Sequence, residues 1–362
     1  MAGGMNLQPY KFYTEKEGNM PGIRNKSHNE MMNILNQFVM NQLGFAPVGE
    51  IRMLTPGSGN AHNYYRDKIN EANLFSSIYK AYTAAVTQRN DMLLVTPNSH
   101  AWKGDTNSGG EALTWSKTNT HLLGLSPTSK AGYGRARFSH SGYTMANFIT
   151  VSGDDNCFKN LRFMHGSATG GASDITILTL SGHGNRFENV AFAGPNDATQ
   201  AGSANYKSIV ITGSHNYFKN CMFGSVNDVD RSAANTILSF GAACGAWNIF
   251  EDCVFRSRSG GGQTTAYFIN DAVTDTVVDY TAIFLNCQFI HNGATLAVAI
   301  NKAANTSRKL YFDNRCSIAG VTDIIADARV GEIMWGNAGA SPDEAAAVDF
   351  KATGKARVLV AT

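Results

Sequence analysis

The feature that most constrains the fold is an internal repeat in the second half of the chain. Its unit is Phe, any residue, Asn or Asp, two further residues and Phe, at 158–163, 187–192, 218–223, 250–255 and 284–289. An altered copy occupies residues 312–318, and successive first phenylalanines are 29, 31, 32, 34 and 28 residues apart. A period of about thirty residues without a helical pattern between the copies predicts a solenoid of stacked strands.

Each unit is preceded by a short apolar segment and a glycine-containing turn. The segments are Val151-Ser-Gly153, Leu180-Ser-Gly182 and Ile211-Thr-Gly213, each followed by an asparagine at 156, 185 or 216. One coil is therefore expected to contain a strand, a Gly/Asn turn, a strand that begins at Phe, and a bend at Asn.

The repeated side chains are expected to form interior ladders. Two phenylalanines five residues apart point to opposite faces of a straight strand, so the asparagine between them must change the direction of the chain. Asparagine tolerates the left-handed conformation that such a bend requires. The predicted ladder comprises Phe158, Phe187, Phe218, Phe250, Phe284 and Phe312 with Asn160, Asn189, Asn220, Asn286 and Asn314, and Cys221, Cys253 and Cys287 are expected to form an inward-facing thiol stack.

The pattern resembles the right-handed parallel β-helix superfamily, which includes pectate lyases and phage tailspikes, over about residues 90–320. The expected fold class is all-β: a right-handed parallel β-helix, with an N-terminal arm and a helical cap. Four segments are predicted: an arm with a short helix at 1–60, a capping helix at 61–90, the β-helix at 91–320 and a C-terminal tail at 321–362. The capping helix is expected over about 70–87, where Phe75, Ile78, Tyr79, Tyr82 and Val86 have helical spacing.

Composition argues against several classes of partner. Charged residues make up 16% of the chain and its formal net charge is +2, so neither nucleic acid nor a membrane surface is an expected partner. The opening residues contain no apolar run typical of a secretory signal. The sequence has no stretch of about eighteen apolar residues, so a membrane span is not expected. The six cysteines lack metal-site spacing, and no cofactor is expected.

Asp154, Asp155 and His183 are the strongest candidates for catalysis. Asp154-Asp155 with Gly182-His183-Gly184 resembles the paired aspartates and Gly-His-Gly of polygalacturonases, where carboxylates do acid–base work. The same residues occupy equivalent turns of successive coils, and turns select Gly, Asp and Asn for backbone reasons. Asp271, Asp275 and Asp279, and the pair Asp228 and Asp230, are interpreted as solvated carboxylates rather than calcium ligands. The turn interpretation predicts no catalytic and no metal-binding residue.

The expected function follows from a second resemblance. Residues 93–127, with Leu113-Thr-Trp115, look like the opening coils of β-helical structural proteins of tailed phages. We therefore expect a non-enzymatic virion protein assembled in the host cytoplasm: a homotrimeric capsid decoration or cement protein that binds the major capsid protein or another virion protein. Tyr10, Phe12 and Tyr13 of the arm are the expected capsid contacts. The alternative is a tailspike-like or lyase-like enzyme that cleaves surface polysaccharide.

Overall fold

The structure is a computed structural model of the 362-residue chain. It describes residues 28–43, 49–55, 69, 71–106, 112–126, 136–140, 147–165, 176–224, 230–233, 235–242, 244–259, 266–271, 280–294, 296–302, 308–325 and 333–335. The predicted capsid contacts Tyr10, Phe12 and Tyr13 lie outside these residues, as does most of the predicted C-terminal tail.

Short parallel strands make up most of the described chain. In chain order they are β1 (Ile51–Leu54), β2 (Leu74–Phe75), β3 (Asp91–Val95), β4 (Ser99–Ala101), β5 (Leu113–Trp115), β6 (Thr120–Gly124), β7 (Ala136–His140), β8 (Asn147–Val151), β9 (Cys157–Lys159), β10 (Leu161–His165), β11 (Thr176–Leu180), β12 (Arg186–Glu188), β13 (Ala191–Ala193), β14 (Lys207–Ile211), β15 (Tyr217–Lys219), β16 (Met222–Phe223), β17 (Thr236–Phe240), β18 (Asn248–Glu251), β19 (Val254–Ser259), β20 (Tyr267–Asp271), β21 (Tyr280–Leu285), β22 (Gln288–Gly293), β23 (Leu296–Lys302), β24 (Lys309–Phe312), β25 (Ser317–Ala319), β26 (Val321–Ile325) and β27 (Ile333–Trp335). Three helices are described: α1 (His28–Leu43), α2 (Ile78–Ala84) and α3 (Ala198–Ala201).

The strands form three parallel sheets. The first sheet has eleven strands in the order β2-β1-β3-β6-β9-β12-β15-β18-β21-β24-β27. The second has eight, β4-β7-β10-β13-β16-β19-β22-β25, and the third has eight, β5-β8-β11-β14-β17-β20-β23-β26. Each complete coil contributes one strand to each sheet in turn. The expected parallel β-helix is therefore confirmed, whereas the N-terminal arm and the helical cap are not.

Stacked phenylalanines fill the interior. Along the first sheet, the rings of Phe158 and Phe187 are 4.8 Å apart, and those of Phe187 and Phe218 are also 4.8 Å apart. The stack continues through Phe250 and Phe284 to Phe312 at 4.7, 4.9 and 4.7 Å. All six side chains are buried. Each contributes roughly 1.5–3 kcal/mol of burial free energy, so the ladder is a packing feature of the core.

The bend after five successive first-sheet strands, β9, β12, β15, β18 and β21, is left-handed. Asn160, Asn189, Asn220 and Asn286 have φ of 59°, 54°, 52° and 52°, and Asp252 takes the same role at 55°. Side-chain contacts join part of the column: the Asn189 amide donates to Asn160 Oδ1 at 3.3 Å. Asn314 is not in this conformation, since the altered copy has one inserted residue. Asp313 instead accepts the backbone N–H of Asn286 at 2.9 Å.

Five of the six cysteines, Cys221, Cys244, Cys253, Cys287 and Cys316, line the same interior. All six are buried free thiols. Cys221, Cys253, Cys287 and Cys316 each donate to the carbonyl oxygen of the ladder phenylalanine of the preceding coil, at 3.3–3.5 Å. Burial raises the pKa of the Cys253 thiol well above its usual value, which is the behaviour of an unreactive structural cysteine.

The predicted helix over about 70–87 is wrong in extent. Only Ile78–Ala84 is helical, because Leu74 and Phe75 are extended and pair with Met53 and Leu54 of β1. The buried face of α2 joins the main core through Ile78, Ala81 and Tyr82. The fold thus begins earlier than residue 91, since β1 and β2 already belong to the first sheet.

Candidate functional site

The outer face of the first sheet has an apolar part and a charged part. Its first strands present Ile51, Met53, Met92, Leu94 and Leu123, which form one cluster with Leu35 and Val39 of α1. The helix therefore lies on the sheet at this end. Beyond Leu123 the outward position of the next strand is polar, since Leu123 pairs with Lys159.

The charged part, here called the charged face, comprises Lys159, Arg186, Glu188, Tyr217, Lys219 and Glu251. Two rows run across the strands. Arg186 pairs in register with Tyr217, and Lys159, Glu188, Lys219 and Glu251 succeed one another at one register position. Because outward and inward residues alternate, the ladder phenylalanines place these side chains on the opposite surface. The face is partly exposed along most of its length.

Ion pairs link the second row. Lys159 Nζ is 2.9 Å from Glu188 Oε1, and Arg186 Nη2 is 3.1 Å from Glu188 Oε2. Lys219 Nζ is 2.8 Å from Glu251 Oε1. The Arg186–Glu188 and Lys219–Glu251 pairs are partly exposed, and such pairs stabilise a fold by about 0–1 kcal/mol each, so stability alone is a weak reason for them.

Tyr217 and Glu251 form a distinct pair within the face. The Tyr217 hydroxyl donates a short hydrogen bond to Glu251 Oε2. Hydrogen bonds from Lys219 and Tyr217 lower the pKa of Glu251. Burial and the bond to Glu251 raise the pKa of Tyr217 to about 12. At neutral pH the pair is therefore a carboxylate beside a protonated phenol, which suits a group that accepts a proton next to one that donates a hydrogen bond.

The Cα spacing of Glu188 and Glu251 is compatible with acid–base chemistry. Glu188 and Glu251 lie two strands apart at one register position. Their Cα atoms are about 9–10 Å apart, because neighbouring strands lie about 4.8 Å from each other. Carboxyl groups that cleave a glycosidic bond with inversion are about 6.5–9.5 Å apart, leaving room for a water molecule. Lys219 lies between them and could contact an anionic group of a bound chain.

A stacked turn borders the charged face. It brings together Asp154, His183 and Ser214, one from each of three coils, and is here called the turn column. The backbone N–H of His183 donates to Asp154 Oδ1 at 2.7 Å. His183 Nδ1 is 2.7 Å from Ser214 Oγ and accepts the backbone N–H of Ser214 at 3.1 Å. The residues that follow these three, Asp155, Gly184 and His215, all have positive φ. Trp247, at the equivalent position of the next coil, does so too.

Two glycines show why the turns have their sequence. A Cβ on Gly182 would lie 2.1 Å from the carbonyl oxygen of Gly153 in the preceding coil. Gly184 has φ of 65°, and its Cβ would lie 2.4 Å from Asp155 Oδ1. Close stacking of backbones therefore accounts for the two glycines on either side of His183.

A buried asparagine column fixes the turn column from inside. The side-chain oxygens of Asn185, Asn216 and Asn248 accept the backbone N–H of Asn156, Asn185 and Asn216 at 3.0, 2.9 and 3.2 Å. The amides of Asn185, Asn216 and Asn248 donate to glycine carbonyls of the preceding coil. These buried, fully used amides make the turns rigid.

The predicted catalytic candidates are thus adjacent, but their contacts are those of a turn. Asp154 contacts the backbone of His183 and not its ring. Asp155 is exposed in the left-handed conformation and donates its backbone N–H to His183 O at 3.0 Å. The polygalacturonase-like pairing of two carboxylates around a substrate bond is not what this geometry displays.

The residues of the charged face were not selected from the sequence. A signal was present: the position between Phe and Asn in the motif reads Lys159, Glu188, Lys219 and Glu251 in successive copies. That alternation of sign predicts one solvent-facing row of opposite charges in a stack of parallel strands. The row of charged residues can be recognised as a candidate site only when the register of the strands is known.

Asp271 is the described member of the predicted acidic groups at 271, 275 and 279. It is fully buried, with Arg308 Nη2 at 2.8 Å and Lys302 Nζ at 3.4 Å. Burial raises the pKa of Asp271, and the two cations oppose that effect. Asp275, Asp279 and Asp228 lie outside the described residues. Within the described ranges, no three His, Cys, Asp or Glu side chains converge as a metal site would need.

Comparisons with known proteins give the fold. No protein-family model and no curated protein matches the sequence. Pectin methylesterase PemA from Erwinia chrysanthemi is 13% identical, with a TM-score of 0.44, over 80% of each chain. Pectate lyase Pel9A is 11% identical, with a TM-score of 0.43, over 86% of this chain and 90% of its own. The ORF18 protein of Geobacillus virus E2 is 14% identical, with a TM-score of 0.22, over 65% of this chain and 57% of its own.

These comparisons contradict the prediction that the chain is not an enzyme, because the structures matched over most of their length are a pectin methylesterase and a pectate lyase. That prediction is withdrawn. None of the helices in the described ranges has the length and apolar character needed to cross a membrane. The chain has the fold of a parallel β-helix with three parallel sheets.

Proposed function

We propose that this chain is an enzyme that acts on a polysaccharide bound across the charged face. One observation carries the proposal: Glu188 and Glu251 lie two strands apart in one register, with Lys219 between them and Tyr217 bonded to Glu251. Two carboxylates at this spacing, beside cations and an aromatic ring, form a suitable arrangement for cleaving a sugar–sugar bond.

The proposed roles follow from the protonation states. Glu251, whose pKa is lowered, is ionised at neutral pH and acts as the general base. Tyr217 stays protonated, orients Glu251 and offers a ring against which a sugar can stack. Glu188 is the second carboxylate at the opposite side of the bound bond. Lys159, Arg186 and Lys219 would contact carboxylate groups of an acidic polysaccharide.

The test uses the purified chain with capsular polysaccharide, lipopolysaccharide and pectin. New reducing ends report any cleavage, and absorbance of unsaturated products separates elimination from hydrolysis. Glu251→Gln and Glu188→Gln are each expected to reduce turnover by about 100-fold or more, the usual contribution of an acid–base group. Asp323→Asn, at a partly exposed position of β26 in the third sheet, is the matched control and retains turnover. Equal turnover in all four proteins would refute the proposal.

A virion location is the second part of the proposal. It is supported by the resemblance of residues 93–127 to the opening coils of phage structural proteins. In this view the enzyme is carried by a phage particle, as a tailspike or on the capsid surface, as a homotrimer in contact with the major capsid protein or another virion protein. Mass spectrometry of purified particles tests the location, and light scattering of the purified chain tests the trimer. A chain that is missing from particles refutes the location.

A further inference from the structure

The contact between His183 and Ser214 has a defined proton arrangement. His183 Nδ1 accepts the backbone N–H of Ser214 at 3.1 Å, so this nitrogen carries no proton. In a neutral imidazole the proton is then on Nε2. With the proton on Nε2, the Ser214 hydroxyl, 2.7 Å from Nδ1, is the donor of that contact and shares the one Nδ1 lone pair with the backbone N–H. A serine hydroxyl that donates to an imidazole lone pair is the starting arrangement for nucleophilic attack.

Both residues are open to solvent and rigidly placed. His183 is exposed and Ser214 is partly exposed. The next asparagine along each turn, Asn185 or Asn216, is buried and holds that turn against its neighbour. Asp154 fixes the backbone of His183 from the other side. Reactive groups mounted on such a scaffold keep their geometry without a bound substrate.

A second serine–histidine pair in the protein provides a comparison. Ser259 Oγ lies 3.0 Å from His291 Nε2, but both residues are buried and both also contact the carbonyl oxygen of Ala294. That pair satisfies polar groups inside the core and cannot meet a substrate. The His183–Ser214 pair of the turn column also has a serine–histidine hydrogen bond, but it lies at the protein surface, where packing of the core does not require such a bond.

We propose that Ser214 and His183 hydrolyse O-acyl esters as nucleophile and base. Ser214 Oγ attacks the ester carbonyl carbon while its proton passes to His183 Nδ1. The tetrahedral intermediate then expels the alcohol, which takes that proton, and the acyl group remains on Ser214. Water, deprotonated by the same nitrogen, attacks the acyl-serine. The second tetrahedral intermediate expels Ser214 Oγ, which takes that proton back from Nδ1, and releases the carboxylic acid. No oxidant, metal or second substrate is needed.

The surroundings define the substrate class. The carboxylates of Asp154 and Asp155 lie in the same or the adjoining turn, so a negatively charged acyl group is disfavoured there. Trp247, partly exposed in the adjoining coil, and Tyr217, next to the turn column, provide rings against which a sugar can stack. The expected substrate is a sugar hydroxyl that carries a small uncharged acyl group such as acetyl. This activity is independent of chain cleavage at the charged face.

The test measures a different bond from the assay for chain cleavage. The full chain is incubated with p-nitrophenyl acetate and with an O-acetylated polysaccharide, and acetate release is followed. Ser214→Ala and His183→Gln are each expected to lower that rate by about 100-fold or more. Ser181→Ala, which removes an exposed serine from the preceding turn, serves as the control and keeps the wild-type rate. Acetate release that survives Ser214→Ala in a folded protein overturns the proposal.

A labelling experiment on the unaltered chain covers the case in which a variant fails to fold. A fluorophosphonate reacts only with a serine whose hydroxyl is activated by a base. Mass spectrometry of the digested protein is expected to locate the adduct on Ser214. No adduct, or an adduct on another residue, overturns the proposal. Reducing-end formation is not expected to respond to the fluorophosphonate, so failure of this activity is distinguishable from failure of the proposed polysaccharide cleavage.

Discussion

At the scale of single residues, two kinds of asparagine shape each coil. Those in the motif, such as Asn189, are selected for a left-handed bend after the first-sheet strand. Those in the preceding turn, such as Asn216, are buried and hold neighbouring coils together through both ends of the amide. The sequence shows both columns with equal regularity. The motif asparagines are easier to recognise in the sequence because phenylalanines flank them, yet the turn asparagines make more hydrogen bonds.

Replacement of Asn216 by alanine is expected to cost about 3 kcal/mol of unfolding free energy. The variant leaves the buried N–H of Asn185 and the carbonyl of Gly182 without partners, at about 1–3 kcal/mol each. Urea denaturation followed by circular dichroism measures the change. Asn205→Ala, at an exposed position, is the control and should stay within about 0.5 kcal/mol of wild type. A similar small change for Asn216→Ala would contradict the role given to this column.

Tyr217 should titrate later than an ordinary tyrosine. Burial and its bond to Glu251 raise its pKa to about 12. The raised value belongs to the folded state, so the stability it reflects is complete below about pH 10 and declines as the pH rises towards 12. Tyrosinate absorbance of wild type minus that of Tyr217→Phe isolates this side chain. Glu251→Gln should move the difference curve to lower pH, and an unchanged curve would argue against the bond.

Residue types alone could not yield the candidate sites. The Lys–Glu alternation is readable in the motif, but that Glu188 and Glu251 share one row depends on the strand register. Likewise, Gly-His-Gly and Gly-Ser-His are visible as related turns, whereas the contact of His183 with Ser214 depends on one turn stacking directly on the other. Register and turn stacking are tertiary properties, set by the packed phenylalanines inside.

At the scale of secondary-structure elements, the two predicted N-terminal helices had different outcomes. The apolar spacing around Leu35 and Val39 predicts α1, which spans His28–Leu43. The longer helix expected over 70–87 contains only α2, because strand pairing with β1 takes Leu74 and Phe75. Helical periodicity was present in both segments. An available sheet edge offers the backbone hydrogen-bond partners that a helix would otherwise supply internally.

The packing of α1 on the sheet gives a prediction for this element. Val39 is fully buried among Ile51, Met53 and Met92, whereas its neighbour Met40 is about half exposed, at 46%. Val39→Ala is expected to lower the unfolding free energy by about 1.5 kcal/mol, from about 0.8 kcal/mol per buried methylene. Met40→Ala is the matched control and should change it by less than about 0.5 kcal/mol. Equal effects in thermal denaturation would mean that α1 does not use this face.

At the scale of the whole molecule, the repeat predicted the fold class but not its full extent. The Phe motif is absent before residue 158, yet strands from β1 onwards belong to the same stack. There Trp102 and Trp115 fill the interior. The ring centroids of Trp102 and Phe148 are 4.1 Å apart, and those of Trp115 and Phe158 are 5.2 Å apart. A coil can be filled by different side chains of similar volume, so a strict motif marks only part of a solenoid.

Because each coil contacts mainly its neighbours, one whole coil should be removable. Deletion of residues 158–186 joins Cys157 to Phe187, so that β6 pairs with β12 and the interior ladder keeps its register. The deletion also preserves alternating charges, since Glu188 is still followed by Lys219 and Glu251. The shortened chain is expected to fold, with the circular dichroism of parallel strands and a lower melting temperature, as the stability of a solenoid is roughly a sum over its repeats.

Deletion of residues 158–171 starts at the same residue but removes only 14 residues instead of 29, and it ends in the middle of a coil. It removes β9 and β10 but keeps β11, so that at the junction apolar residues of one coil meet turns of the next. This variant is expected to aggregate or remain unfolded, while the whole-coil deletion gives a cooperative transition. If both deletions behave alike, whether folded or unfolded, the stacking of the ladder from Phe187 to Phe312 is not what determines this structure.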